Sequence, residues 1–447
     1  MRLYSKNENY KLYQGNMLDM LEVIESNSID SIVTDPPYEL NFMNKGWDNS
    51  GIAFQKETWK KCYEVLKPGG YLLAFGGSRT FHRIACAIED AGFEIRDTIM
   101  WLYGSGFPKS QNIGKMYDKK MGNDREKIGE TKIGKTSLGD GSGWDTSQNM
   151  KNIKATGKID ITKGTSKWEG WGSCLKPSFE PIIVARKPFK GSLVDNVIQY
   201  GVGGINIDEC RVGDEERFSP KATLGDSGIY NWNNETNENE EYKGKMVTGR
   251  FPANTILTYD ETDFDEVCGG FPNTKGGTRH NTCERKSEMT SFGFQNNTRN
   301  EFNDSGSASR YFYCAKASKK DRDEGLDIEE SVITDGRKKP IDNAFNRGET
   351  LRKNTHPTVK PTSLMQYLVR LVSPNGATIL DCFNGSGSTG KAVMYENYER
   401  NKNYKYIGIE LTEEYLPIAK ARIEYVCNLK PEVNPQLSIF DLEENDE

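Results

Sequence analysis

The hydrophobic pattern divides the chain into two ordered ends and a polar middle. Tyr10 to Val33 holds two strand candidates around a short helix at Met17–Ile24. Thr58 to Leu66 carries helical spacing, and Lys67-Pro68-Gly69-Gly70 marks a turn. Tyr71-Leu72-Leu73-Ala74-Phe75 is an unbroken apolar run of the length of a buried strand. Phe81 to Ala91 predicts a helix with an apolar face at Ile84, Ala85 and Ile88, while Ile95–Tyr103 and Phe179–Ala185 predict further strands. At the other end, Ala377–Leu380 and Tyr404–Glu410 read as strands separated by a helix-like stretch. A helix just before them has its apolar face at Leu364, Tyr367, Leu368 and Leu371. Strands alternating with helices predict an α/β fold.

Between these ends the periodicity fades. From Gly104 to Gly172 the composition shifts to Gly, Lys, Thr, Ser and Asp, which predicts an inserted loop region, partly flexible without substrate. Residues 191–350 are rich in Asn, Gly, Thr and Arg, with isolated strand-like pieces such as Thr255–Thr258. Arg310-Tyr311-Phe312-Tyr313-Cys314-Ala315-Lys316 joins aromatics to cations, which suits stacking and phosphate contact, or an ordinary half-buried strand.

Two constellations carry chemistry. Asp35-Pro36-Pro37-Tyr38 follows the strand run Ser31–Thr34. A carboxylate, a stiffened backbone and an aromatic ring therefore stand at a strand's C-terminal edge, where open α/β sheets bind ligands. The prolines have no N–H, so the carbonyls of Asp35 and Pro36 must accept hydrogen bonds from elsewhere. An exocyclic amino group meets that need: Asp35 and the Pro36 carbonyl take its two hydrogens, and Tyr38 stacks on its ring. The same tetrapeptide is also a turn signal. The second constellation is strand, glycine loop, helix, strand, acid. Gly385, Gly387 and Gly390 match the G-x-G-x-x-G pattern, and Glu410 lies twenty residues past Gly390. Glycines let a backbone approach an adenosine-containing cofactor, and the acid accepts from two ribose hydroxyls.

That pattern alone serves NAD and S-adenosylmethionine equally. Asp381 at the mouth of the loop suits an ammonium and a sulfonium better than a pyrophosphate. Only 37 residues follow Glu410, fewer than the second half of a dinucleotide fold needs. The loop nearly spells a phosphate-binding P-loop, Gly385-x4-Gly390-Lys391, but Ala392 stands where the Mg²⁺-binding hydroxyl should be.

Taken together, these motifs make the chain similar to the amino-group DNA methyltransferases of the N6-adenine/N4-cytosine kind. The tetrapeptide comes first and the cofactor loop last, the motif order of that family's β class. Phage-type or prophage-type members are resembled most, through Lys45-Gly46-Trp47-Asp48, Leu175–Glu180 and His356-Pro357-Thr358-Val359-Lys360-Pro361. Family motifs cover roughly the first 108 residues and the stretches 171–190 and 351–427.

The resemblance implies a Rossmann-like S-adenosylmethionine-dependent methyltransferase sheet with a large inserted target-recognition region. It implies a catalytic half at 1–108, a basic flexible insert at 109–170, a catalytic-domain strand at 171–190, and target recognition at 191–345. An S-adenosylmethionine-binding half at 346–427 and an acidic tail at 428–447 complete the division. The implied catalytic residues are Asp35, Pro36, Pro37 and Tyr38. The implied cofactor residues are Asn16, His356, Lys360, Asp381, Phe383, Gly385, Gly387 and Glu410, with no metal. Asn16 stands where the family carries Asp to read the cofactor's adenine amino group, and still offers a carbonyl acceptor. Trp101 and Glu180 match strand positions near the base pocket, where packing is the expected role. The implied reaction moves a methyl group from S-adenosylmethionine to adenine N6 in double-stranded DNA after the base flips out of the duplex. N4 of cytosine is the alternative. An NAD-linked oxidoreductase and a non-catalytic DNA-binding protein are the other classes.

Composition modifies this picture in three places. The net charge is −6, yet residues 101–190 hold 17 Lys and Arg against 9 Asp and Glu, a local +8 suited to phosphate. Acid gathers at Asp260–Glu266, Asp321–Glu330 and Asp441–Glu447, stretches expected to face solvent. Nine cysteines without a C-x-x-C pair support neither a zinc knuckle nor a disulfide framework. With no long apolar run and no apolar leader, a cytoplasmic protein without a membrane segment is expected. Finally, Gln436-Leu437-Ser438-Ile439-Phe440 is similar to the short motif by which bacterial replication proteins dock on the sliding clamp, so a clamp tether is a further expectation. Oligomeric state is left open.

Overall fold

The computed structural model describes residues 2–40, 46–103, 110–132, 158–219, 245–258, 319–327 and 350–429, with short paired strand pieces between 223 and 333. The Arg310–Lys316 run and the Gln436–Phe440 pentapeptide lie outside the described residues.

A nine-stranded sheet organises the chain. Its strands in sequence are β1 (Arg2–Lys6), β2 (Tyr10–Gln14), β3 (Ile29–Thr34), β4 (Leu66–Phe75), β5 (Glu94–Tyr103), β8 (Phe179–Arg186), β9 (Thr255–Thr258), β10 (Thr378–Asp381) and β11 (Lys405–Glu410). The spatial order is β1-β2-β11-β10-β3-β4-β8-β5-β9. β1 and β8 run antiparallel to their neighbours, and every other pairing is parallel. β10, from the end of the chain, pairs with β3, from its start. The two motif-bearing loops therefore meet at one edge of the sheet.

Both faces are covered, as a largely parallel sheet requires. Along β3, Ile32 points into a core with α1 (Met17–Leu21), α2 (Lys56–Val65) and α3 (Phe81–Asp90). Val33, the next residue, points into the opposite core with α7 (Thr362–Val372), α8 (Ser388–Arg400) and α9 (Leu416–Cys427). Leu72 and Leu73 alternate in the same way, the period of two expected of a strand.

The structure corrects several local expectations. Lys67–Gly70 is part of β4 and not a turn. Gly69 donates to the Lys187 carbonyl and Lys187 to the Gly70 carbonyl, both at 2.9 Å, so the pairing runs past the end of β8. On α3, Ala87 is buried beside Ile84 and Ile88, and Ala85 is only half-buried. The region read as loop contains α4 (Ile113–Met121) and a hairpin of β6 (Glu126–Lys132) with β7 (Lys158–Lys163). Arg125 joins them: it pairs with Asp118 on α4 and with Glu169 at 2.8 Å. These are ionic contacts, one of them spanning 44 residues, that apolar periodicity does not reveal.

The sheet also draws on residues inside 191–345. β9 pairs with β5 at the edge of the sheet. α5 (Leu193–Tyr200), closed by a Ser192/Asp195 capping box, docks through Asn196, whose Nδ2 donates to the Pro68 and Val202 carbonyls at 3.1 and 2.8 Å. α6 (Lys319–Asp323) docks on the C-terminal helices. There Asp321, expected to face solvent, accepts from the Thr362 amide at 2.9 Å and from Lys391 Nζ at 2.9 Å. Glu324 takes the same ammonium at 2.8 Å. Lys391 is fully buried, and a buried ammonium needs such partners. Among the described residues, no helix is long and apolar enough to cross a membrane.

Candidate active site

A cavity of about 600 Å³ opens over the C-terminal ends of β3, β10 and β11. Of the twelve site residues expected from the sequence, eleven line it: Asn16, Asp35, Pro36, Pro37, Tyr38, His356, Lys360, Asp381, Phe383, Gly385 and Glu410. Strands distant in sequence bring them together, because β3 and β10 are hydrogen-bonded neighbours.

One end is built around the tetrapeptide after β3. Asp35 Oδ2 accepts from Lys360 Nζ at 2.5 Å. Asp35 Oδ1 is buried and has no hydrogen-bond partner among the described residues. Tyr38 donates its hydroxyl to Glu180 Oε2 at 2.6 Å, and Tyr103 donates to Glu180 Oε1 at 3.3 Å. Lys360 Nζ also stands 3.5 Å from Glu180 and lies over the rings of Phe75 and Tyr38. Burial pushes the Asp35 carboxyl above its ordinary value, and Lys360 pulls it back. Burial alone would strip the Lys360 proton, but Asp35 and Glu180 outweigh it and hold the ammonium. One oxygen of Asp35 is thus tied down, and the other has no hydrogen-bond partner among the described residues.

The other end is the glycine loop. Glu410 receives the Gly385 amide on Oε2 and the Thr412 amide on Oε1, both at 2.7 Å. Each oxygen keeps acceptor capacity for a further donor. Asp381 accepts from the Thr34 and Thr389 hydroxyls, both at 2.6 Å, and from the Phe383 amide at 3.1 Å. Burial pushes its carboxyl up to about 6. These bonds make Asp381 a brace for the loop more than an open ligand for a cation. His356 directs Nδ1 to the Thr358 carbonyl at 2.6 Å, which leaves Nε2 without a proton in the neutral ring. Burial pushes its pKa down to about 4. A Cβ on Gly385, whose φ is +50°, would stand 2.9 Å from that Nε2, so only glycine fits beneath the ring.

A family model described as DNA methylase, of the N6/N4 kind, matches residues 29–421. The chain belongs to this DNA methylase family.

Its relatives are Type II methyltransferases. The methylase is 23% identical over 239 residues to M.HindIII of Haemophilus influenzae, a match covering 44% of this chain and 64% of that one. It is 33% identical over 114 residues to M.HpaI of Haemophilus parainfluenzae, covering 24% and 36%. With M2.LlaDCHI of Lactococcus lactis it shares 27% over 237 residues, covering 45% and 81%. The matches thus span less than two thirds of the first two relatives. Solved structures with distant likeness include a cytosine-N4-specific PvuII DNA methyltransferase, at 13% identity and TM-score 0.39 over 97% of this chain and 91% of that one. Another is a complex of M1.HpyAVI with SAM, at 14% identity and TM-score 0.36 over 93% and 99%.

Family membership brings S-adenosylmethionine as the methyl donor, and the cavity's residues fit it. The Gly385 backbone is open to close approach, Glu410 offers ribose acceptors, and the unpartnered Asp35 oxygen lies in the same cavity. Two assignments change in detail. Asn16 caps α1, its Oδ1 accepting from Leu18 N at 3.0 Å, so reading an adenine amino group would share that oxygen. Gly387 does not line the cavity. It caps α8 at φ +74°, and a Cβ there would come within 3.0 Å of Ala419 on α9. Its smallness serves helix packing, and Gly387→Val would strike Ala419 before any ligand.

Lys360, expected among the cofactor residues, is joined by the structure to Asp35. Glu180, expected to pack, is the shared acceptor for Tyr38 and Tyr103. Its pairing opposite Trp101 in the β8/β5 register places it at the site; the signal was a carboxylate in an otherwise apolar strand.

Proposed function

We propose that this DNA methylase transfers a methyl group from S-adenosylmethionine to the N6 amino group of adenine at specific sites in double-stranded DNA, with the target base flipped out of the duplex. The observation that carries the reading is Asp35 Oδ1, a buried acceptor without a hydrogen-bond partner among the described residues, in a cavity that Asp35 lines beside Pro36 and Tyr38. A buried acceptor left unmatched is unfavourable unless a ligand completes it. An amino hydrogen does so.

When bound, S-adenosylmethionine supplies an activated sulfonium methyl. The protein's part is positioning and electrostatics. Glu410 and the backbone at Gly385 hold the ribose end. Asp35 Oδ1 and the Pro36 carbonyl accept the two amino hydrogens, which favours a pyramidal nitrogen with a localised lone pair. Tyr38 stacks on the base, its ring oriented by the bond to Glu180. As the nitrogen gains the methyl it loses one proton, and Asp35 Oδ1 is the acceptor placed to take it. Adenine is favoured over cytosine by Asp35, since N4-cytosine relatives usually carry Ser at that position. Sequence recognition is assigned to 191–345 and non-specific phosphate contact to the basic insert.

The test is product analysis. Purified protein is incubated with duplex DNA and S-adenosylmethionine labelled in the methyl group, and the DNA is digested to nucleosides. Label in N6-methyladenine is expected. Label in N4-methylcytosine would overturn the choice of base.

A further inference from the structure

We propose that Glu180 is a positioning residue for methyl transfer, the second carboxylate of the site, which takes over the Lys360 ammonium as Asp35 receives the proton released from the amino nitrogen. The assignment rests on the methyl-transfer reading above and adds a role for this one residue.

The geometry is that of one cation between two acids. Lys360 Nζ stands 2.5 Å from Asp35 Oδ2 and 3.5 Å from Glu180 Oε2. It lies over the rings of Phe75 and Tyr38, 4.8 and 5.2 Å from their centroids. Lys360 is buried, and a buried ammonium needs a counter-charge. Asp35 and Glu180 both favour its charged form against that burial. Glu180 is itself held at both oxygens. Tyr38 donates to Oε2 at 2.6 Å and Tyr103 to Oε1 at 3.3 Å. It sits on β8 in register with Trp101 of β5, so the sheet fixes its place. A displacement of about 1 Å, the difference between the two Lys360 distances, carries the ammonium from one acid to the other, and the flexible four-carbon stem of a lysine allows it.

Over one transfer the charges call for both acids. At the start Asp35, Glu180 and Lys360 together carry one negative charge in excess. The amino nitrogen bonds to the methyl carbon as the carbon–sulfur bond breaks, and the sulfur keeps that electron pair. The nitrogen, now positive, passes one proton to Asp35 Oδ1, and Asp35 becomes neutral. Oδ2 still accepts a hydrogen bond from Lys360 but no longer offsets its charge. With Glu180 present, one ammonium and one carboxylate remain as a matched pair. Without it, a buried cation stands beside a neutral acid, the situation of an ion pair broken on one side.

A double-mutant cycle on the full chain separates this role from the orienting of Tyr38. The substrate is a duplex carrying the site found by sequencing DNA methylated by the unaltered protein. Glu180→Gln keeps the side chain's size and one acceptor for a tyrosine hydroxyl but removes the charge. Its single-turnover transfer rate should fall about 10- to 100-fold. Base flipping, read by the fluorescence of 2-aminopurine at the target position, should change by less than about twofold. In a Lys360→Met background no ammonium awaits a partner, so the same Glu180→Gln change should cost less than about threefold, measured in alkaline buffer. Equal fold losses in the two backgrounds, or lost flipping in Glu180→Gln, would show that the carboxylate serves only to hold Tyr38. An unchanged rate in Glu180→Gln would show that it serves neither purpose. Each of these results overturns the proposal. If the unaltered protein transferred no methyl group to DNA, the methyl-transfer reading itself would fall, and the role of Glu180 with it.

Discussion

Asp35 is a carboxylate with two different oxygens. Oδ2 is fixed by Lys360 at 2.5 Å, and Oδ1 is buried without a hydrogen-bond partner among the described residues. The asymmetry makes Lys360 a positioning residue that also opposes the upward push of burial on Asp35. The other groups acting on Asp35 are Glu180, which raises its pKa, and Tyr38, which lowers it; Asp381 lies close enough to feel its charge. Removing the ammonium by Lys360→Met therefore moves the Asp35 pKa further up. The proposed transfer needs the carboxylate ionised, so the acid limb of the kcat/KM profile should shift to higher pH, with activity partly recovered in alkaline buffer. A uniform fall in rate with the limb unmoved would contradict this role. The tetrapeptide itself was legible from sequence because Asp, two prolines and Tyr are local. The Lys360 contact was not, since it joins residues 325 positions apart.

At the scale of elements, apolar periodicity located most strands and helices at both ends of the chain, though not β1 or α9. Those elements bury one face or both, and their spacing records it. What it missed depends on contacts between distant segments. β4 runs on through Lys67–Gly70 because Lys187 pairs with it. The β6/β7 hairpin and α4 are joined through Arg125. α6 has too few apolar residues for a periodic signal, and its seat is ionic. Asp321 is central to that seat, because Lys391 and Arg422 are both buried beside it. Asp321→Ala should cost about 3 kcal/mol in urea unfolding, the scale of a buried pair broken on one side. Asp327→Ala, on an exposed residue of the same segment, should change little. Equal effects would mean that the Asp321 network is not what seats the segment.

At the scale of the whole molecule, a net charge of −6 is compatible with DNA as the proposed substrate. Its acids are partly internal, as Asp321, Asp381 and Glu410 show, and net charge does not describe the surface a duplex meets. Lys115, Lys119 and Lys120 lie on α4 of the basic insert. Their joint replacement by Gln should weaken binding about equally on all duplexes and flatten its salt dependence, measured by titration at several salt concentrations. A change in the methylated sequence would instead assign the insert to base readout. Methyl transfer in the cavity over β3, β10 and β11 is proposed to run through Asp35. The most direct measurement pairs transfer rate with S-adenosylmethionine affinity in Asp35→Ala. Transfer should fall at least about 10³-fold while the cofactor still binds measurably. Transfer that survives the substitution, at a rate near that of the unaltered protein, would contradict it.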